Sequence, residues 1–305
     1  MIYSVVIPTK DGADTLPALL DALAAQKTDA QVEIVAIDSG SRDGSAALLK
    51  KAGARVIEIA PEQFAHGRTR NRAISESKGE FVFLLSQDAV PGAYDYLDRL
   101  QIPLRDDPQV AASYAKQLPR AGADPLEKLR WKNAPMGSEK PHMTGPFAPA
   151  AFDAMAPDEQ RAACEFHSAA CCIRRSVWEK IPLPEVSIGE DVAWAREVLR
   201  AGYKIAYEPW GFVFHSHHRP LSEEADRIER EAALEWELFG RAPVKNPVDA
   251  AIKSLEWAAG DAAAIVFGRA GSMSERARAA RRAARFARVR ASSLYKGYKK
   301  ARDDS

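Results

Sequence analysis

Across its first half this chain alternates short β-branched runs with amphipathic helical patterns, and that alternation constrains its fold more than any other feature. Val5, Val6 and Ile7 lead into a turn at residues 8–12, after which Leu16, Leu19, Leu20 and Leu23 recur with helical spacing. Residues 32–38 read as a second strand, followed by a turn through Gly44 and a helix through Leu49. Residues 55–59 read as a third strand, residues 67–78 as a basic helix, and residues 81–85 as a buried strand ending in Ser86, Gln87 and Asp88. This β-α-β-α order predicts an α/β fold with a doubly wound, mostly parallel sheet. Such sheets bind ligands beyond the carboxyl ends of their strands, where Thr9, Asp38 and Asp88 fall.

The second half is less regular. A helix near 93–105 and a strand near 109–117 precede residues 118–165, where periodicity is lost among Pro119, Gly122, Pro125, Pro135, Gly137, Pro141, Gly145, Pro146 and Pro149. A loop of that length inside a compact domain is usually functional or mobile. Regular structure returns at 169–174, in a helix from Glu190, and in strands near 203–207 and 211–215. Residues 221–305 are nearly all helix-forming, with breaks around Pro243, Pro247 and 268–271. The expected division is therefore 1–220 for the sheet domain and 221–305 for a helical extension whose end is basic.

Charge distribution says more than the net charge of +1. From Arg276 onward Lys and Arg crowd the chain, and Arg278, Arg281, Arg282 and Arg285 share one helical face with Phe286, Val289 and Tyr298 as apolar partners. Basic helices of this kind bind anionic membrane surfaces; a merely solvated helix is the alternative. Nucleic acid competes for such a charge run, but the acidic helix at 222–237 and the overall neutrality argue against it. Cys164, Cys171 and Cys172 are odd in number and lack zinc-site spacing, so packed, reduced thiols in a reducing compartment are expected. Residues 2–8 read as a strand rather than a leader. No apolar segment approaches the ~18 residues of a membrane span. The expected location is cytoplasmic, either free or peripheral on the inner face of the membrane.

Glu190 and Asp191 put adjacent carboxylates at the mouth of a helix that closes at Gly202. Free backbone N–H groups and the helix dipole stabilise an anion there, which suits a general base as well as an ordinary acidic helix start. Asp38, before Ser39 and Gly40, can accept a hydrogen bond from a nucleobase or ribose, or can form an Asx turn. Asp88 leaves the core at the binding edge and suits a hard divalent cation bridging a diphosphate, or a turn before Val90 and Pro91. In residues 66–72, Arg68 and Arg72 share a helical face and Arg70 points elsewhere, so one arginine and the helix start make a plausible anion site. His215 and His217 follow a strand on the same side, and with His218 they suggest a ligand or phosphate contact.

Taken in order, these pieces resemble the family 2 glycosyltransferases of the nucleotide-diphospho-sugar transferase (GT-A) fold. The matching text is Val5-Val6-Ile7-Pro8-Thr9, the run from Ile37 to Ser45, Gly67 to Asn71, Ser86-Gln87-Asp88-Ala89, Gly189-Glu190-Asp191, and the stretch from Tyr207 to His217. It covers roughly residues 1–220. Within the family it looks most like bacterial rhamnosyltransferases, which share the Gln-Asp-Ala variant, a step like Cys172 to Trp178, and a His-Ser-His ending. The resemblance implies inverting transfer of a sugar from a nucleotide-sugar donor, dTDP-L-rhamnose or alternatively a UDP-sugar, to a hydroxyl of a polysaccharide or lipid-linked acceptor. It implies a donor site of Pro8, Thr9, Asp11, Asp38, Ser39, Gly67, Arg70, Gln87 and Asp88, with Asp38 on the nucleobase. Asp88 and His215 would hold Mg²⁺ or Mn²⁺, and Asp191 would deprotonate the acceptor hydroxyl. Glu190 and Trp131 fall on the acceptor side, and Phe147 and Phe152 are further sugar-stacking candidates in the 118–165 loop, which is otherwise a packed insertion. One departure is Ser86, where the common Asp-x-Asp motif has its first carboxylate.

Two other classes follow from the same residues. A nucleotide-sugar-binding scaffold without turnover accommodates Ser86 but has no use for Glu190-Asp191. A metal-dependent hydrolase built around His215, His217 and His218 lacks a second ligand cluster apart from Asp88. The apolar residues of 221–268 suit packing onto the sheet domain or an oligomer interface equally.

Overall fold

In the computed structural model, residues 1–123, 125–216, 220–267 and 272–304 are described. They divide into two compact units, one of residues 1–118, 135–155 and 162–216, the other of residues 119–134, 156–161 and 217–305.

The first unit is a nine-stranded sheet with helices on its faces. Its opening half follows the sequence pattern: β1 (Ile2–Thr9), α1 (Leu16–Ala24), β2 (Gln31–Asp38), α2 (Ser45–Lys51), β3 (Arg55–Glu58), α3 (His66–Glu76) and β4 (Phe81–Leu85). These four strands lie parallel in the order β3-β2-β1-β4. Val5, Ile7, Phe83 and Leu85 are fully buried and pack with Leu16 and Leu19 of α1. Burying such side chains stabilises by about 1.5–3 kcal/mol each before the entropy of ordering is subtracted.

Beyond β4 the direction changes. The chain continues through β5 (Val90–Pro91), α4 (Tyr96–Asp106), β6 (Val110–Leu118), α5 (Pro125–Asn133), β7 (His142–Thr144), α6 (Pro149–Asp153) and α7 (Pro157–Ala163). It then forms β8 (Ala170–Arg174), α8 (Arg175–Trp178), α9 (Glu190–Arg200) and β9 (Lys204–Phe214). β8 inserts antiparallel between β4 and β6, β6 pairs parallel with β9, and the short β5 and β7 pair antiparallel with β9. The two strands expected near 203–207 and 211–215 are one continuous β9. Its register against β6 slips where Ala115 faces Glu208 and Lys116 faces Phe212, so Pro209, which has no N–H to give the ladder, lies in the slip. The stretch at 118–165 is not one loop: it holds α5, β7, α6 and α7, whose short lengths hid their periodicity.

The second unit gathers α5 with α10 (Leu221–Phe239), α11 (Pro247–Phe267) and α12 (Met273–Asp304). Leu126, Ile228, Ile265, Ala283 and Phe286 form its core. The Arg130 guanidinium lies 3.2 Å from the centre of the Phe286 ring, and Trp236 packs edge-on against Tyr298. The three cysteines are buried and reduced. Among the described residues no helix is long and apolar enough to cross a membrane.

Candidate active site

The carboxyl ends of β1 and β2 are joined residue by residue. Ser39 donates its backbone N–H and its hydroxyl to Thr9 O at 2.9 and 3.1 Å, and Thr9, Asp38 and Ser39 are all buried. Asp38 accepts hydrogen bonds from the Ser41 N–H at 3.1 Å and from the Ser41 hydroxyl, so it forms the Asx turn and presents an oriented carboxylate. The two turns beyond the strands are stitched together: Asp11 N–H to Ser41 Oγ at 2.8 Å, Arg42 N–H to Asp11 Oδ1 at 2.8 Å, Gly12 N–H to Ser45 Oγ at 2.8 Å, and Ala13 N–H to Asp43 Oδ2 at 2.7 Å. The Ser45 hydroxyl and the Ala13 N–H hold the Asp43 carboxyl below its ordinary range. Gln87 clips this platform to β4, accepting from Lys10 N–H and donating to Lys10 O, both at 2.9 Å. Its amide is thus engaged with main chain rather than offered outward. Pro8 remains within β1 as that strand nears its end.

Asp88 and His215 meet on the other flank. His215 Nε2 lies 3.4 Å from Asp88 Oδ1, and both side chains are largely buried. His215 Nδ1 lies 2.8 Å from Gln117 Oε1, a contact that, with Nδ1 as the donor, frees Nε2 to ligate a metal. Two electron-pair donors so placed fit adjacent positions around one divalent ion. Among the described residues, no group of three or more His, Cys, Asp or Glu side chains converges for metal binding. His217 and His218 lie outside the described residues.

The acidic pair begins α9, entered through Gly189 in the left-handed region at φ 70°. Glu190 is 4% exposed. Arg70 Nη1 donates to its Oε1 at 2.7 Å, and the Ser168 hydroxyl donates to the same oxygen at 2.9 Å. Burial pushes the Glu190 carboxyl up, but Arg70, His66 and the Ser168 hydrogen bond together hold it below its ordinary value. Asp191 is partly exposed and accepts the Ser168 N–H at 3.2 Å and the Val192 N–H at 2.9 Å. Burial, then the Glu190 charge, raise the Asp191 carboxyl, partly offset by His167 and the two N–H donors. Adjacent carboxylates are thereby split into a permanent anion and a more basic partner.

Arg70 therefore turns inward from α3, while Arg68 pairs with Glu185 on the surface and Arg72 is exposed. The Arg70 Nε–H has no partner among the described residues. Gly67 has a packing reason: a Cβ there would stand 2.2 Å from Pro184 O. Asn71 fixes the same segment, donating to Leu183 O at 2.8 Å and accepting from Trp178 Nε1 at 2.8 Å and Leu183 N–H at 3.1 Å. Phe152 is fully buried against Phe147, 5.7 Å between ring centres, so it is a core residue rather than a sugar-stacking face. Trp131 lies on α5, in the helical unit.

Residues that the sequence left unmarked complete the site. Ser86 N–H bonds Ala169 O at 2.9 Å, which sets the turn before β8 beside the turn that carries Asp88. Ser168 in that turn holds both acids, and the neighbouring His167 Nε2–H donates to Glu165 Oε1 at 2.7 Å. A run ending Glu-Phe-His-Ser immediately before a buried strand was the available signal.

The joined turns of β1 and β2, the Asp88–His215 pair and the Glu190–Asp191 pair thus lie along the carboxyl edge of the sheet. The chain is 29% identical over 245 residues to the O-antigen chain rhamnosyltransferase RfbN of Salmonella typhimurium, covering 74% of this chain and 70% of that protein. It is 30% identical over 210 residues to the O-antigen chain rhamnosyltransferase WbaN of Salmonella anatum, covering 66% of this chain and 62% of that one. Its fold matches a mannosyltransferase of Pyrobaculum calidifontis solved with GDP-Man and Mn²⁺, with a TM-score of 0.59, 20% identity, and coverage of 99% and 87% of the two chains. It also matches glucosyl-3-phosphoglycerate synthase of Mycobacterium tuberculosis, solved with Mn²⁺, UDP-Glc and phosphoglyceric acid, with a TM-score of 0.55, 18% identity, and coverage of 80% and 82%. The α/β architecture with its C-terminal helices is thus that of the GT-A fold. The family model of the family 2 glycosyl transferases matches residues 4–156, half of the molecule and the part that holds the joined turns of β1 and β2, and the chain belongs to that family.

Proposed function

We propose that this glycosyltransferase is an inverting rhamnosyltransferase that moves L-rhamnose from dTDP-L-rhamnose to a hydroxyl of a cell-surface polysaccharide or its lipid-linked precursor. The observation that carries the chemistry is the split pair at the head of α9: Glu190 neutralised by Arg70, Asp191 left basic and partly open. In this reading Asp191 takes the proton of the acceptor hydroxyl as its oxygen bonds to the anomeric carbon. The bond from that carbon to the diphosphate breaks on the opposite face, dTDP leaves, and the sugar's configuration inverts. Ser168 N–H and Val192 N–H aim the carboxylate, and Glu190 keeps it basic enough to accept a proton. Asp38, Ser39 and Thr9 receive the nucleoside, while Asp11 and Gln87 fix the turns that surround it. Asp88 and His215 are the residues that would hold Mg²⁺ or Mn²⁺, whose charge stabilises the departing diphosphate. The rhamnose assignment is supported by the two O-antigen rhamnosyltransferase relatives.

The test is a thermal-shift panel of dTDP, UDP, GDP and CMP with and without Mn²⁺, followed by transfer assays on Asp191→Asn. A nucleotide at a hundredfold excess over Kd stabilises the folded state by about 2.7 kcal/mol. Metal-dependent stabilisation by dTDP alone, with a variant that binds dTDP normally and transfers nothing, is the expected result. Stabilisation by UDP instead overturns the rhamnose assignment, and near-normal turnover by Asp191→Asn overturns the base.

A further inference from the structure

The helical unit carries a surface that sugar transfer does not use. Along α11 and into α12, Val248, Ile252, Leu255, Val266, Phe267 and Met273 are 67, 51, 73, 41, 85 and 73% exposed. Val248, Ile252, Leu255 and Val266 recur at spacings of three, four and seven residues with Ala259 between them, so they line one stripe of the helix, and Phe267 adds to its end. The opposite side of α11 is used internally: Ile265 is buried, and the Arg290 guanidinium covers the Trp257 ring at 4.3 Å. An apolar stripe of this extent on an otherwise charged chain is an interaction surface rather than scatter.

Charge identifies the partner. Arg276 donates to Val266 O at 3.4 Å, and this contact with the Arg290–Trp257 stack makes α12 run antiparallel beside α11. Arg278, Arg281, Arg285 and Arg288 of α12, all exposed, are therefore level with the second half of α11. They recur at spacings of three and four residues along one exposed face, and the acids of α12 are confined to Glu275 at its start and Asp303 and Asp304 at its end. The α11 acids Asp249, Glu256 and Asp261 leave the stripe itself apolar. A second copy of the chain would meet this cationic row with its own, or leave it beside the interface unpaired. A bilayer with anionic headgroups offers each strip its own partner, an acyl boundary for apolar side chains and phosphates for guanidinium groups.

We propose that α11 and α12 form a docking face for an anionic lipid bilayer, with the α11 stripe, Phe267 and Met273 as the inserted part and the α12 arginines as the electrostatic part. The face is independent of the reaction at Asp191. The experiment is co-sedimentation of the full chain with phosphatidylglycerol-containing vesicles and with pure phosphatidylcholine vesicles, across ionic strength. Binding to the anionic vesicles is expected, weakened by salt and much weaker on neutral ones. Glutamine at Arg278, Arg281, Arg285 and Arg288 should lower partitioning by about fivefold per charge removed. Leu255→Ser with Phe267→Ser should also reduce it, while sugar transfer to a soluble acceptor stays at the wild-type rate, so the docking face and the reaction are tested apart. Equal binding to neutral vesicles, or wild-type binding by both variants, overturns the proposal. So does light scattering that shows the serine variant converting a dimer to a monomer with vesicle binding unchanged, since the stripe then belongs to a second copy.

Discussion

As the proposed base, Asp191 has to be a carboxylate and yet sits where a carboxylate is disfavoured, and that conflict is measurable. Burial and the Glu190 anion both raise its protonation midpoint, so the acid limb of kcat/KM should lie above the ordinary aspartate range. Replacing Glu190 by Gln removes a negative charge and leaves Arg70 beside the site. Both changes favour ionised Asp191, so the acid limb should move to lower pH. The same substitution breaks a buried ion pair and costs about 3–5 kcal/mol of stability, so the profile is taken well below the variant's Tm. Stability has its own sign. A carboxyl raised in the folded state contributes stability only while protonated and loses it as pH rises through the folded midpoint. Asp191→Asn should therefore melt higher than wild type at neutral pH, and the difference should shrink as acid protonates the native aspartate. Equal melting at neutral pH would mean that Asp191 carries no burial cost. The acid pair was legible because its residues are adjacent at a helix start. Its partners were not: Arg70 and Glu190 are 120 positions apart, and helical spacing separates Arg70 from Arg68 and Arg72 without saying that it turns towards Glu190.

At the level of elements, the site depends on α9 being held against α3 through the segment between α8 and α9. Trp194, fully buried, donates its indole N–H to Ile181 O at 2.7 Å, and Asn71 and Gly67 of α3 grip Leu183 and Pro184. Gly67→Ala inserts a methyl 2.2 Å from Pro184 O, where backbone has to move. Overpacking of this kind typically costs about 1–3 kcal/mol. Because the displaced segment leads into Glu190, kcat should fall further than dTDP binding. Calorimetry beside steady-state kinetics checks this, and an unchanged kcat in a destabilised variant would confine Gly67 to packing. The parallel half of the sheet was legible because its strands are buried runs separated by amphipathic helices. The antiparallel insertion of β8 was not, since a run such as Ala170 to Arg174, buried throughout, has the same hydrophobicity in either direction. Residues 118–165 misled for a related reason: α6 has five residues and α7 seven, too few turns for a period to stand out among prolines.

For the whole molecule, the metal site proposed at Asp88 and His215 implies an order of assembly. Ser86 replaces a carboxylate of the common motif, and two protein donors leave most of a divalent ion's coordination to other oxygens. A diphosphate supplies such oxygens, so metal and nucleotide should bind cooperatively, each raising the other's affinity by the same factor. Titration calorimetry should find weak Mn²⁺ binding to the protein alone and at least about tenfold tighter binding with dTDP present, a coupling of ~1.4 kcal/mol. The reciprocal gain should appear for dTDP when Mn²⁺ is added first. Asp88→Ala should abolish the coupling while leaving the metal-independent part of dTDP binding, proposed to rest on Asp38, Ser39 and Thr9. His215→Gln should reduce it, because the amide replaces a nitrogen lone pair with a weaker oxygen donor. Tight Mn²⁺ binding in the absence of nucleotide would contradict a two-donor site and require ligands beyond Asp88 and His215. Equal dTDP affinity with and without metal in the wild type would remove the ion from the donor complex and leave the leaving diphosphate to the chain's own cations.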